Sequence, residues 1–289
     1  MPLKEMIIPP EAAGQRVSVF LRDALPDLPE SIIRKVFSAR DVKADGLRIP
    51  RDAVLRGMQE VCVYIPDRAD TAPSSLRVVY EDSDVLLVNK PAGISVEDDG
   101  SISLASLCRQ YTEQQSPGSF APVPCHRLDA RTCGLCLFAR NENARAVLEE
   151  AFRSRTLEKY YICLVRGIPK PPEAECRAFL LKDAGRGRVQ ILDHPIPEAR
   201  QIVTGYETLE SGPVSRLKVH LVTGRTHQIR AHLASLGHPI LGDDVYGDRD
   251  FNRRYKAHSL KLCAVSLKLD TGGKLPLLDG REFSIDPPF

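Results

Sequence analysis

Residues 66–75, PDRADTAPSS, break this chain in two. They combine two prolines with small and charged residues and show no apolar periodicity, the composition of a linker and not of a packed element. Placing the linker at 67–75 leaves 1–66 as a small domain and 76–289 as a large one. With 289 residues, 43% of them hydrophobic, the chain can build one sizeable core and a lesser one. Apolar runs such as VLLV and GLCLFA are too short to cross a bilayer, so no membrane partner is expected. The start, MPLKEMIIPPEAAG, lacks the apolar stretch of a secretion signal. Eight cysteines lie scattered without paired spacing, as expected of reduced thiols in the cytoplasm. A net charge of +2 neither demands nor excludes a nucleic-acid partner, because a local patch can supply the field.

In the small domain, RVSVFLRDAL puts Val17, Phe20, Leu21, Ala24 and Leu25 on one helical face. ESIIRKVFSAR offers Ser31 as an N-cap ahead of Ile32, Ile33, Val36 and Phe37 at helical spacing. Asp45-Gly46 marks a turn, and EVCVYI alternates as a strand should. This order of helix, helix, turn and strand resembles the small α/β RNA-binding domain of the ribosomal-protein S-four type. Glu30 departs from it, standing where that family usually has a basic residue.

In the large domain, LRVVYEDSDVLLVNKPAG gives two short apolar runs, Val78-Val79 and Val85 to Val88, around a polar turn. A helix is expected near SLASLCRQY and a strand at GLCLFAR. Another helix follows at NENARAVLEEAFRSR, with Ala146, Val147 and Phe152 on its inner side. KYYICLVRG and VSRLKVHLV read as strands, and 168–200, with PKPP, GRGR and HPIP, as a turn-rich surface excursion. TGRTHQIRAHLASLGHP turns into a helix with Ile229, Leu233 and Leu236 inside and Gly237 closing it. The irregular interleaving predicts an α+β fold, a mixed and largely antiparallel sheet with flanking helices. No glycine-rich phosphate loop follows a strand.

The chemistry concentrates in HRLDARTCG, which sets one acidic side chain, Asp129, among His126, Arg127 and Arg131. A carboxylate can serve as general base, metal ligand, nucleophile or half of a salt bridge. A metal site would want further ligands at regular spacing, and a two-carboxylate hydrolase a second acidic motif; neither is evident. The other dense cluster, GRTHQIRAH, is basic, with Arg225, His227, Arg230 and His232 at a helix start. A carboxylate held by arginine stays ionised, which makes it a poor acid or base near neutrality but an available nucleophile. The same cations would attract a phosphate backbone, and RDFNRRYK (249–256), cationic with two aromatics interleaved, is a further phosphate candidate. Cys133-x-x-Cys136 reads as core thiols, because residues three apart on a strand face opposite sides.

Four stretches resemble the RluA family of RNA pseudouridine synthases. HRLDARTCGLCLFAR is similar to its His-Arg-Leu-Asp-x-x-Thr-Ser-Gly motif, and VTGRTHQIRAHLASLGHPILGDDVYG to its second signature. VLLVNKPAGISV is similar to its opening strand and turn, and EKYYICLVRG to its Lys-x-Tyr strand. All four occur in the family's order, and the N-terminal segment matches the family's common RNA-binding appendage. The resemblance implies that Asp129 attacks the target nucleoside, at uracil carbon six or at the anomeric carbon. The glycosidic bond then breaks, and the base rotates and rejoins through carbon five. It implies that Arg225 pairs with Asp129, that Tyr161 lies against the flipped uracil and can take a proton late in the reaction, and that Arg127 fills the gap left in the RNA stack. His126, Thr132, His227 and Arg230 would be RNA contacts. No cofactor and no metal is implied, and the expected partner is structured RNA, ribosomal more than transfer RNA, met by a monomer. Cys133 replaces the usual Ser, and Cys263 and Glu97 stand where His is common. A synthase-like scaffold that grips RNA without turning it over is the rival expectation.

Overall fold

VLLV and GLCLFA do not alternate because the strands that carry them are covered on both faces. In β6 (Val85–Lys90) and β8 (Cys133–Ala139), Leu86, Val88, Cys136 and Phe138 join one apolar core. Val85, Leu87, Leu135, Leu137 and Ala139 join another on the opposite face. Successive strand residues point to opposite faces, so a continuous apolar run marks a strand sandwiched between layers. On the first face pack Leu104, Ala105 and Cys108 of α2 (Leu104–Gln115), with Ile229 and Leu233 of α4 (Gln228–Ser235). On the second pack Ala144, Leu148 and Ala151 of α3 (Glu142–Ser154). The Ser103 hydroxyl accepts from the Ser106 amide at the start of α2, and the Asn141 side chain caps α3 by accepting from Ala144.

The computed structural model describes residues 3–25, 33, 36–37, 41–64, 76–98, 102–183, 185 and 187–289. These group into two units, one within 1–75 together with 98–102, the other 76–97 with 103–289. The expected linker at 67–75 and the Ser31 cap with Ile32 lie outside the described residues.

The first unit holds a four-stranded antiparallel sheet. β1 (Leu3–Ile7) pairs with β4 (Glu60–Tyr64), β4 with β2 (Val42–Ala44), and β2 with β3 (Leu47–Arg48). Asp45 and Gly46 both take positive φ (49° and 78°), the turn that joins two right-twisted strands most directly. α1 (Val17–Ala24) lays Val17, Phe20 and Leu21 on Val42, Val61 and Val63.

The second unit is built on one 11-stranded sheet. Its remaining strands are β5 (Val78–Glu81), β7 (Val123–Pro124), β9 (Glu158–Arg166), β10 (Glu173–Asp183), β11 (Arg188–Leu192), β12 (Arg200–Glu210), β13 (Val214–Leu221), β14 (Leu262–Lys268) and β15 (Glu282–Ser284). The main path runs β11-β10-β12-β13-β9-β14-β8-β6-β5, and only the β14–β8 pairing is parallel. This is the expected α+β architecture. At the parallel crossing Gly134 is obligatory: its φ is +116°, and a Cβ there would lie 2.2 Å from the Ala264 carbonyl oxygen.

Three local expectations are corrected. The stretch 168–200 is not loop: β10 and β11 form an antiparallel hairpin, with its prolines and glycines confined to the ends and the turn. On α3 the expected Val147 and Phe152 pack against the core, but Ala146 is exposed, and the buried positions are Ala144, Leu148 and Ala151. Leu236 lies at the C-cap of α4, 41% exposed and outside the core.

Candidate active site

Asp129 sits in the loop between β7 and β8, and that loop is tied down from beneath. Lys90, fully buried at the end of β6, donates from Nζ to the carbonyls of Pro91 (2.9 Å), Ile94 (2.8 Å) and Ala130 (3.0 Å). Three acceptors match the three N–H groups of an ammonium, whereas burial pulls the lysine pKa down to about 8. Gly93 donates to the Ala130 carbonyl as well, and Thr132 to that of Asp129. His126 works from the other end: its Nε2 accepts the Leu137 amide at 3.1 Å, and its ring lies 5.0 Å from that of Phe152. Burial drives its pKa down to about 3, so the ring is neutral. His126 and Thr132, which is 3% exposed, therefore hold the loop from within, a place that does not suit the RNA contacts expected of them.

The Asp129 carboxylate is open to one side, at 22% exposure, and meets Arg230 and His227 on the other. Arg230 Nη1 donates to Oδ2 at 3.1 Å, and His227 Nε2 lies 3.9 Å away. Arg230 is itself 3% exposed and donates from Nε and Nη2 to both oxygens of Asp243, at 2.8 and 3.0 Å. Burial disfavours its charge, yet the Asp243 and Asp129 carboxylates outweigh burial and push its pKa up. Asp243 also accepts the amides of Val245 and Tyr246. Asp129 and Asp243 thus flank one buried guanidinium.

The arginine at Asp129 is Arg230, and the expected pairing with Arg225 is corrected. α4 begins at Gln228, so Arg230 falls in its first buried turn, while Arg225 remains in the preceding loop, exposed. Gln228 organises that loop: its Oε1 accepts from the Thr223 hydroxyl and the Arg225 amide, and its Nε2 donates to Val203 and Thr204. His227 takes a left-handed conformation (φ 54°) at the helix start, with Nδ1 3.0 Å from the Tyr246 hydroxyl. Burial depresses its pKa, with Asp129 opposing.

Of the two adjacent tyrosines, Tyr161 joins the core cluster that includes Leu128, beside Asp129. Burial first, then the Asp129 charge, push its phenol well above the usual range. Tyr160 faces the other way, donating to Glu158 at 2.7 Å and stacking on His220. Arg127 is exposed and paired with Glu97 at 2.8 Å. Cys133 and Cys263 are register partners across the parallel crossing, and Cys133 donates to the Leu262 carbonyl. Asp243 and Gln228 are the residues that sequence reasoning missed, though both lie inside the motif that contains Arg230. Their signal was position alone: Gln228 three residues after Arg225, and Asp243 in the Gly-Asp-Asp turn that follows the helix.

Residues 84–235 match the family model described as RNA pseudouridylate synthase. The chain is 33% identical to an uncharacterised RNA pseudouridine synthase of Aquifex aeolicus, covering 82% of this chain and 78% of that one. It is 31% identical to ribosomal large subunit pseudouridine synthase C of Escherichia coli K12, over 87% of this chain and 82% of the relative. Among solved structures it matches human RNA pseudouridylate synthase domain containing 1, with a TM-score of 0.61 and 27% identity, covering 74% of this chain and 84% of that one. Motifs, sheet and relatives agree: the chain belongs to the RNA pseudouridylate synthase family and is an isomerase of the RluA type.

Proposed function

We propose that Asp129 is the nucleophile that isomerises uridine to pseudouridine in structured ribosomal RNA. The observation that supports this is one carboxylate, open to one side and backed by a buried guanidinium that a second carboxylate holds in place. The clamp aims that carboxylate, and a carboxylate so placed is an available nucleophile. It attacks the extruded nucleoside at uracil carbon six or at the anomeric carbon. The carbon–nitrogen bond breaks, the base turns, and a carbon–carbon bond forms through carbon five. The proton leaves carbon five and one is gained at nitrogen, so no atoms are lost and no cofactor is consumed. Extrusion costs a few kcal/mol, which Arg127 offsets by releasing Glu97 and entering the stack. Tyr161 packs against the base; its raised pKa suits that role better than accepting a proton. Arg230 is a positioning residue for Asp129, and His227 borders the same opening. The ribosomal preference is supported by the name of the Escherichia coli relative, and the first unit, read as an S-four-like domain, would add grip on the RNA.

The test is pseudouridine mapping of total RNA from a strain lacking the gene, its parent, and the strain complemented with Asp129→Asn. The expected result is a missing ribosomal site that the variant does not restore, although the purified variant still binds that RNA. An unchanged map in the deletion strain would overturn the reading in favour of a scaffold that binds without turnover.

A further inference from the structure

Arg225, freed from the role expected of it, lines a cleft of about 250 Å³ beside the candidate active site. The cleft is walled by the end of α3, the start of β9 and the loop before α4, and Phe152 lines it. Four cations line it: Arg153, Arg155, Lys159 and Arg225; no acidic side chain does. Arg153 is already paired with Glu150. Among the described residues, no carboxylate lies within ion-pair distance of Arg155, Lys159 or Arg225. Glu158, adjacent to Lys159, faces the other side of the strand, where it meets Tyr160 and Lys268. Lys159 is half-buried, with its ammonium 5.3 Å from the centre of the Phe152 ring and 3.3 Å from where a Cβ on Gly224 would stand, so the glycine leaves it room. Burial, then the Arg155 charge, pull its pKa down.

The cleft shares walls with both catalytic motifs. Phe152, in its lining, packs its ring against that of His126, three residues before Asp129. Arg225 stands two residues before His227, whose ring borders the Asp129 carboxylate. We propose that this cleft takes a phosphodiester of the RNA strand next to the target uridine, held by Lys159, Arg225 and Arg155. The inference rests on RNA being the substrate. A three-cation cleft without an anion of its own is costly to maintain, and an incoming phosphate supplies the missing charge. The site would fix the strand's register, so that unstacking delivers the correct nucleotide to Asp129.

The test measures binding and turnover separately. Binding is read in the Asp129→Asn background, with protein-free large-subunit ribosomal RNA from a strain lacking the gene, across a potassium chloride series. Adding Lys159→Gln and Arg225→Gln should raise Kd on the order of ten-fold and flatten the slope of log Kd against log salt by about one. Turnover is read with Asp129 intact, where the same pair should raise KM by a larger factor than it lowers kcat. Unchanged Kd and salt slope in a folded variant, judged by circular dichroism, would overturn the assignment. If the protein with no substitution forms no pseudouridine, it is the reaction reading that fails, whatever the salt slope does.

Discussion

Replacing Asp243 with Asn removes one charge and almost no volume, which makes it the sharpest probe of the Arg230 clamp. Asp243 Oδ1 accepts from Arg230 Nη2 and from the amides of Val245 and Tyr246, while Oδ2 accepts Arg230 Nε at 2.8 Å. An asparagine can satisfy the first three with its oxygen only by turning its own N–H₂ toward Nε–H, donor against donor. The alternative orientation leaves three donors facing an amide nitrogen. Either way a buried guanidinium, 3% exposed, loses its principal counter-ion. Breaking such a pair costs about 3–5 kcal/mol. The urea midpoint should fall accordingly, and kcat should drop by roughly ten- to a hundred-fold as Arg230 loosens its hold on Asp129, since about 1.4 kcal/mol of lost transition-state stabilisation is ten-fold in rate. Asp244→Asn is the internal control. That carboxylate is 62% exposed, 3.9 Å from Arg230 and paired mainly with Arg131, so its loss should cost at most about 1 kcal/mol. If Asp243→Asn matches Asp244→Asn in both stability and kcat, the clamp is not what holds Asp129 ready.

Acid should unfold the second unit through its neutral histidines. His126 and His232 are held at pKa values of about 3 and about 4, below the free value of 6.5, both first of all by burial. Below pH 6.5 the unfolded chain gains protons that the fold does not take up. Stability is therefore lost as pH falls from 6.5 toward 4, at about 1.4 kcal/mol per pH unit for each ring. Urea midpoints at pH 7, 6 and 5 should show this, with His232→Gln making the slope shallower; an unaltered slope would refute it. Gly134→Ala should abolish folding of the second unit or lower its Tm by more than about 10 °C, as read by thermal melting, because the added methyl lands on backbone in β14. Lys90→Met should leave the Pro91 and Ile94 carbonyls without a donor, at about 1–3 kcal/mol each, with only the Gly93 amide left on Ala130, and reduce kcat together with Tm.

Much of the sheet was readable because its strands announce themselves: VLLV and GLCLFA by unbroken apolarity, VSRLKVHL by alternation. The β10–β11 hairpin was not, since its strands present charges such as Glu173, Glu175 and Arg177 to solvent, and the prolines at its approach mask it. β1 was missed for a similar reason: Lys4, Glu5 and Ile7 are all exposed, so its sequence carries no buried stripe. At the site, HRLD located the carboxylate directly. The sequence contains two arginines in one basic cluster and gives no sign of which one turns inward. That choice depends on where α4 begins, which Gln228 decides through contacts with Val203 and Thr204, some 25 residues away in the chain. Asp243 was equally hidden, because its partner lies 13 residues back and its burial follows from the turn after the helix.

The shared guanidinium also settles a matter of charge balance. At rest, two carboxylates face one cation, an excess of one negative charge at the mouth of the site. An ester formed at Asp129 is neutral, and what remains beneath it is Arg230 matched one-to-one by Asp243. In the proposed reaction the negative charge lost from Asp129 passes to the uracil, so a covalent adduct would leave the clamp itself balanced, and its collapse would return that charge to Asp129 just as the product must depart.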